Sequence, residues 1–403
     1  MIKNIEHKNI FHVVRGLNHG GIQEFLYTFI KYSNSNSFLK HHIVSRFDGS
    51  FRPMFEQLDC PIFICDDKEI AYLVKNNEGN CVVTHDVNGS LPFLHQHAYD
   101  LFFKRIPVIN YVHNAFPMQS PPCLFKKIIT TSKSNVSILK LNGVVTVPIP
   151  IDIERVAIKK NIAELKNKWR IPLNKVILGR ISRLAPNKLI LETIKAYFEL
   201  RKKTNVPIFL LLAGEEAAYV PKGSQINMIK DLVSSLGLTD EDFLYLGIVT
   251  DKEKQELLNV IDIYSAPTSK EGYGIAFCEA ALYGKPVVTY DNCANKEVVG
   301  NGGIVVKNED FKALVEALKL LIENTELRKK LGIQGQSLIN SRNKPALIIK
   351  QVEDIIIDVL NLNNNIYFYQ YNWTIKMAKL KKIIIPSLYK RLLSFRFNFK
   401  ESK

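Results

Sequence analysis

The chain has 403 residues, 46% of them hydrophobic and 23% charged, which excludes collagen-like, coiled-coil and wholly disordered proteins and favours two or three domains over one. Lys and Arg number 54 against 39 Asp and Glu, a net charge of +15, and this points to an anionic partner: nucleic acid, a membrane surface or a phosphorylated substrate. Residues 361–403 hold nine of the basic residues and one Glu, so +8 of the excess lies at the C-terminal end.

Short β-branched runs alternate with helical patterns, so the expected fold class is α/β with parallel sheets built from βαβ units. Strands are predicted at Ile10–Val14, His42–Ser45, Ile62–Ile64, Cys81–Thr84, Val108–Val112, Lys127–Thr130 and Val144–Val147, with helices over Ile22–Lys31 and Ser132–Leu141. Pro148, Pro150 and Pro172 then bracket a charged segment that reads as a domain boundary. A second series follows: strand Lys175–Gly179, helix Leu189–Lys202, strands Ile208–Ala213, Phe243–Leu246, Ile261–Ser265 and Pro286–Thr289, and a last helix over Pro345–Leu360. The expected domains are two Rossmann-like units, residues 1–165 and 166–345, followed by a C-terminal helix and basic tail over 346–403.

In open parallel sheets ligands sit outside the carboxyl ends of the strands, near helix N-termini that attract anions, so the loops leaving strands are where chemistry is expected. The most informative stretch runs from Ser265 to Val299: a strand ends, Lys270 and Glu271 lie in a loop, and Gly272-Tyr273-Gly274 opens a helix carrying Glu279. The glycines permit close approach of a ligand to the backbone. The carboxylates stand about 12 Å apart if the segment is helical, and closer if it starts as a loop, a spacing suited to the two ends of a nucleotide-sugar. Glu279 is the candidate for ribose hydroxyls and Glu271 for the transferred sugar. Arg183-Leu-Ala-Pro-Asn-Lys188 places two cations in a loop after a strand, where they can neutralise a departing diphosphate, and Arg180 competes with Arg183 for that role. Gly20-Gly21 opens the first helix, and His113 ends a strand.

Gly20-Gly21, His113, Arg183…Lys188, Leu212-Ala-Gly214-Glu215, Phe243-Leu-Tyr-Leu-Gly247 and Glu271-Gly-Tyr-Gly…Glu279, followed by Gly284-Lys-Pro-Val-Val and Glu297, occur in that order. The chain resembles the retaining GT-B glycosyltransferases of family GT4 over about residues 10–345. The resemblance implies two Rossmann-like domains facing across a cleft, the acceptor on the N-terminal side and a nucleotide-sugar donor, with UDP favoured, on the C-terminal side. It implies Arg183 and Lys188 on the diphosphate, Glu279 on the ribose, and Glu271 with the Gly272–Gly274 backbone near the donor sugar. Gly21 would approach the phosphates from across the cleft, His113 would lie near the sugar, and backbone near Gly214 and Gly247 would meet the base. It further implies a retaining transfer to a saccharide acceptor, lipid-linked in bacterial surface-polysaccharide synthesis, with no metal and no cofactor besides the donor. Two positions depart from the family pattern: Leu189 stands where Gly usually follows the motif lysine, and Pro148-Ile-Pro150 replaces Pro-Asn-Gly.

The six cysteines contain no CxxC pair and read as reduced and mostly buried. A metal cluster from His41, His42, His85, His95 and His97 lacks any known zinc spacing, and Asp240-Glu-Asp242 reads as a turn. In the tail, Trp373, Met377, Leu380, Ile384, Leu388, Leu392 and Phe395 recur at helical spacing among lysines, with Pro386 as a break. Residues 361–403 therefore suit either an anionic membrane surface or the N-terminal domain. No apolar run reaches the ~20 residues that span a bilayer, and the opening MIKNIEHKNI lacks a secretory stretch. The expected location is the cytoplasm, peripheral on the inner face of the membrane. A nucleotide-sugar epimerase and a nucleic-acid-binding protein are the competing readings. The second leaves Glu271 and Glu279 idle, so no nucleic acid partner is expected.

Overall fold

The computed structural model describes residues 7–18, 20–33, 38–66, 69–85, 101, 106–113, 125–156, 161–217 and 219–361. In chain order the first half holds β1 (Lys8–Gly16), α1 (Gly21–Ser33), β2 (Leu39–Phe47), α2 (Arg52–Glu56), β3 (Ile62–Ile64), α3 (Ile70–Asn76), β4 (Gly79–His85), β5 (Val108–Val112), β6 (Lys127–Thr130), α4 (Lys133–Leu139) and β7 (Val145–Thr146). Two short helices, α5 (Ile153–Val156) and α6 (Ile162–Lys168), follow in the connecting stretch. The second half runs β8 (Val176–Ile181), α7 (Ile190–Lys203), β9 (Ile208–Ala213), α8 (Ser224–Ser235), β10 (Phe243–Tyr245), α9 (Asp251–Val260), β11 (Ile263–Ser265), α10 (Ile275–Leu282), β12 (Val287–Asp291), α11 (Asn295–Val299) and β13 (Gly303–Lys307). It closes with α12 (Phe311–Glu323), α13 (Thr325–Arg342) and α14 (Pro345–Asn361). The tail beyond Asn361, with its expected amphipathic pattern, lies outside the described residues, as do His95, His97 and Cys123.

Both sheets are parallel and doubly wound: the first has the order β3-β2-β1-β4-β5-β6-β7 and the second β10-β9-β8-β11-β12-β13. Helices cover both faces, so the strands are apolar on both sides rather than alternating. In β1, Phe11 and Val13 pack outward with Val44, Val82 and Val108, while Ile10 and Val14 join the inner layer. That inner layer is continuous between the domains, running from Ile43 and Ile109 to Ile177, Leu211 and Ile261. Leu178, Leu210, Ile263, Val288 and Leu318 form the outer layer of the second domain.

The last helix returns to the first domain. After α13 the chain passes through Asn343, and α14 packs on α1, burying Ile348, Ile349, Val352 and Ile356. Asn343 is fully buried at this crossing. Its Nδ2 donates to Ile149 O and to Tyr273 Oη, both at 2.7 Å, and its carbonyl accepts Ile151 N at 3.0 Å. One amide thus ties the linker, the glycine-rich loop and the end of α13 together. Replacing a buried donor with several partners strands those partners, at about 1–3 kcal/mol per orphaned group. Asn343→Leu is therefore expected to lower unfolding stability by about 3 kcal/mol, read from denaturant midpoints. A change under about 1 kcal/mol contradicts the anchoring role.

Candidate active site

In each sheet the strand order reverses once, between β1 and β4 in the first and between β8 and β11 in the second. Loops leaving the strands beside such a point diverge and open a crevice. In the second domain these loops carry both charged motifs, Arg183–Lys188 after β8 and Lys270–Gly274 after β11. They are stitched together: Ser269 N donates to Asn187 O at 3.0 Å, Asn187 Nδ2 donates to Lys270 O at 3.1 Å, and Lys188 Nζ lies 2.5 Å from Glu271 Oε2.

Arg183 is exposed and makes no hydrogen bond or ion pair among the described residues. Arg180 is the opposite case. It is 1% exposed, and its Nη1 donates to Thr193 Oγ1 at 3.1 Å and Pro267 O at 2.9 Å, so it braces the loops from beneath. Burial pulls its pKa down to about 10 against the opposing charges of Tyr264, Glu271 and Glu192, which leaves a buried cation under the crevice. Of the two arginines considered from sequence, Arg183 is the exposed one and Arg180 the buried one.

Leu189 explains its own departure from the family pattern. It adopts φ 47° and ψ 45°, the left-handed region that glycine enters freely. The backbone turn that delivers Lys188 is kept without the glycine, while the leucine side chain packs against the outer apolar layer.

Glu279 sits on α10 with Lys254 Nζ 2.8 Å from its Oε1. Lys254 comes from the first turn of α9, whose start is fixed by the Thr250/Glu253 capping box. Burial opposes its charge, yet Glu279, then Glu24 and Asp251, hold its pKa above the ordinary lysine value. Glu24 belongs to α1, so this cluster spans the two domains. Gly21, at the start of α1, faces α10: a Cβ there would lie 3.4 Å from Ile275 Cδ1. Two helix N-termini thus flank the cleft, each with unpaired N–H groups suited to phosphate.

Gly274 caps α10 at φ 90°, and a Cβ there would come within 2.6 Å of the Phe277 ring. Asn135 of the first domain donates to Gly272 O at 3.1 Å. Tyr273, expected on the donor side, turns its ring into the domain contact beside Asn343. Gly214 and Gly247 lie together past β9 and β10, joined by Gly214 N to Gly247 O at 2.7 Å. A Cβ on Gly214 would fall 1.9 Å from Ser182 O, so only glycine fits there.

Glu297 receives Lys133 N at 2.9 Å and Ser134 N at 3.3 Å, so a carboxylate of the second domain caps α4 of the first.

His113, read from sequence as a lone strand-end histidine, is one of a row. His41 Nδ1 and His12 Nε2 are 3.0 Å apart, His12 Nδ1 and His85 Nε2 3.1 Å, and His85 Nδ1 and His113 Nε2 2.9 Å. His42 points to the other side, stacked on Phe11 at 4.6 Å. His41 and His85, weighed from sequence as metal ligands without a known zinc spacing, stand in a line of pairwise hydrogen bonds. Among the described residues no group of three or more His, Cys, Asp or Glu is placed to hold a metal ion. Asp242 accepts Thr239 N at 3.2 Å in a turn and pairs with Arg201. Cys60, Cys65, Cys81, Cys278 and Cys293 are free thiols, three of them buried.

Sequence reasoning assigned no role to Lys254, Glu24, Asn135 or Asn343. The capping box before Lys254 was a readable signal for its helix; the others act across the domain contact, which no local pattern encodes.

Two facing Rossmann-like domains of this arrangement define the GT-B fold. HepE of Anabaena, in a crystal structure with UDP and glucose, superposes with a TM-score of 0.74 at 18% identity, covering 87% of this chain and all of that one. The family of glycosyl transferases group 1 matches residues 161–338, the second domain. Among curated relatives it is 26% identical over 214 residues to N-acetyl-alpha-D-glucosaminyl L-malate synthase of Bacillus anthracis, an alignment covering 53% of each. It is 24% identical over 217 residues to the capsular polysaccharide biosynthesis glycosyltransferase CapM of Staphylococcus aureus, covering 51% of this chain and 52% of CapM. The chain thus spans about half the length of the curated relatives it matches.

The histidine row makes an acid prediction. Burial lowers the pKa of His41 and of His113 to about 3, and holds His12 and His85 well below the ordinary value of 6.5. The unfolded chain binds these protons near pH 6.5, whereas in the folded chain His41 and His113 bind theirs only near pH 3 and His12 and His85 only well below 6.5, so stability falls as pH drops below 6.5. Each such histidine adds about 1.4 kcal/mol per pH unit. Urea unfolding midpoints are expected to fall steeply below pH 6.5, and His12→Phe is expected to make the fall shallower. A flat profile between pH 6.5 and 5 contradicts neutral burial.

Proposed function

We propose that the chain is a retaining glycosyltransferase that moves a sugar from a nucleotide-diphosphate donor, UDP-linked by preference, to a saccharide acceptor in bacterial surface-polysaccharide synthesis. The observation that carries this is the stitching of Arg183–Lys188 to Glu271–Gly274 at the strand-order reversal of the second domain, opposite Gly21. A diphosphate entering between the two helix N-termini meets Arg183 and competes with Glu271 for Lys188. Lys188 then balances charge on the leaving group, and Glu271, released from its ion pair, accepts hydrogen bonds from the donor sugar. Glu279 is the ribose ligand, with Lys254 holding its carboxylate in place.

In the transfer, the bond from the anomeric carbon to the diphosphate oxygen breaks while the acceptor oxygen bonds to the same face, and a phosphate oxygen takes the acceptor proton. The names of HepE's ligands and of CapM support a UDP-sugar and a polysaccharide setting. Thermal-shift screening against UDP-, GDP- and ADP-sugars is expected to give the largest stabilisation with a UDP-sugar. Lys188→Ala and Glu271→Ala are each expected to stay folded and to cut transfer by about 100-fold or more. Near-normal transfer in either variant, or donor turnover with no sugar passed to a saccharide, overturns the assignment.

The acceptor is proposed to be lipid-linked, with residues 361–403 carrying their +8 to an anionic membrane surface. No helix among the described residues is long and apolar enough to cross a membrane. Deleting residues 361–403 is expected to abolish cosedimentation with phosphatidylglycerol vesicles, and undiminished binding of the truncated chain removes the tail from this role.

A further inference from the structure

The histidine row follows the sheet order. His41 is on β2, His12 on β1, His85 ends β4 and His113 follows β5, four strands that are neighbours in that sequence. The register fixes their offset: His41 pairs with Ile10, His12 with Val83 and His85 with Tyr111, so each histidine lies two residues beyond the one before it. A step of two keeps every ring on one face of a pleated sheet, and the row climbs diagonally to the carboxyl edge.

The row does not end at His41. His41 Nε2 lies 2.7 Å from Ser33 Oγ at the end of α1, and Ser33 Oγ donates to Glu353 Oε1 of α14 at 2.5 Å. Each of the four rings is no more than 5% exposed, and burial keeps them neutral, so each has one N–H to give and one lone pair to offer. A carboxylate only accepts. With the Ser33 hydroxyl directed at Glu353, its oxygen accepts from Nε2–H of His41, which leaves His41 Nδ1 to accept from Nε2–H of His12. The same logic passes to His85 and His113.

We propose that Glu353 and Ser33 are positioning residues that, through His41, His12 and His85, fix His113 as its Nε2–H tautomer and so make its Nδ1 a hydrogen-bond acceptor. A bare Nδ1 requires a donor, which a saccharide hydroxyl supplies, and it disfavours groups that only accept, such as phosphate or carboxylate oxygens. That consequence rests on the proposed function; the tautomer assignment does not. The C-terminal helix thereby acts on the end of β5 through a row that starts three strands away on β2, with no contact to the ligand required.

The test reads the ring nitrogens directly. In the full chain labelled with ¹⁵N-histidine, long-range ¹H–¹⁵N spectra at neutral pH are expected to show protonated Nε2 and bare Nδ1 at His12, His41, His85 and His113. Ser33→Ala is expected to populate the Nδ1–H form of His113 and Ser33→Thr to restore the wild-type pattern. Should Ser33→Ala not fold, Glu353→Leu, on the rim of α14, is expected to give the same shift. An Nδ1-protonated His113 in the wild type, or an unchanged His113 tautomer in the folded variants, overturns the relay. In the transfer assay Ser33→Ala is expected to lower kcat/KM about 10-fold, with recovery in Ser33→Thr. The spectra need no substrate, so expected tautomers in a chain that transfers no sugar uphold the relay and overturn the proposed function instead.

Discussion

Opposite charges are buried in pairs where two parallel sheets present their carboxyl edges to one another, and the rest of the site depends on that pairing. Loops leaving parallel strands end in polar groups, and a cleft between two domains removes those groups from water. A carboxylate left alone there is costly; one held by a lysine is tolerated. Lys188 with Glu271 and Lys254 with Glu279 meet this condition in the second domain, and both lysines are only 15% exposed. In the proposed function a diphosphate is the second partner offered to Lys188, and the exchange frees Glu271 without leaving a bare cation.

Domain closure draws on the same principle at longer range. Glu24 reaches Lys254 electrostatically from α1, Glu297 caps α4 from the other side, and Asn135 holds Gly272 through its carbonyl. These contacts cluster around the glycine-rich loop, so the loop conformation and the relative placement of the domains are linked. Asn343 extends the link to α14, since the residue that fixes Tyr273 also starts the turn by which the last helix returns to the first domain.

Elements with a strong local signal were legible in the sequence. The strands Ile62–Ile64, Val108–Val112, Lys127–Thr130 and Ile208–Ala213 have the bounds expected, because each is a β-branched or apolar run closed by a turn former or a charge. The start of α10 was legible through Gly274. The small helices α2, α3 and α5 and the strand β13 were not anticipated, as each is short and takes its stability from packing rather than from propensity, and the longer α8, α9, α12 and α13 were not named among the expected elements either. In the site, Lys188, Glu271, Glu279 and Gly21 stood out because their loops carry glycines and cations next to strands. Lys254 and Asn343 did not, since a lysine in a charged helix and an asparagine two residues before a proline carry no mark of what lies across the interface.

The histidines show why period alone leaves such a feature hidden. On any one strand there is a single histidine of the row, and the alternation around it reads as ordinary sheet. The pattern exists only between strands, as a two-residue advance at every step of the order β2-β1-β4-β5. It required the order and the register together, and β5 is separated from β4 by a long connection that the sequence could not align. Leu189 makes the complementary point about backbone. Its left-handed conformation is reached by a leucine without a glycine, so the turn that sets the direction in which Lys188 leaves the strand does not require one. The residue after it is free to differ so long as packing of the leucine against the outer layer offsets the strain of that turn.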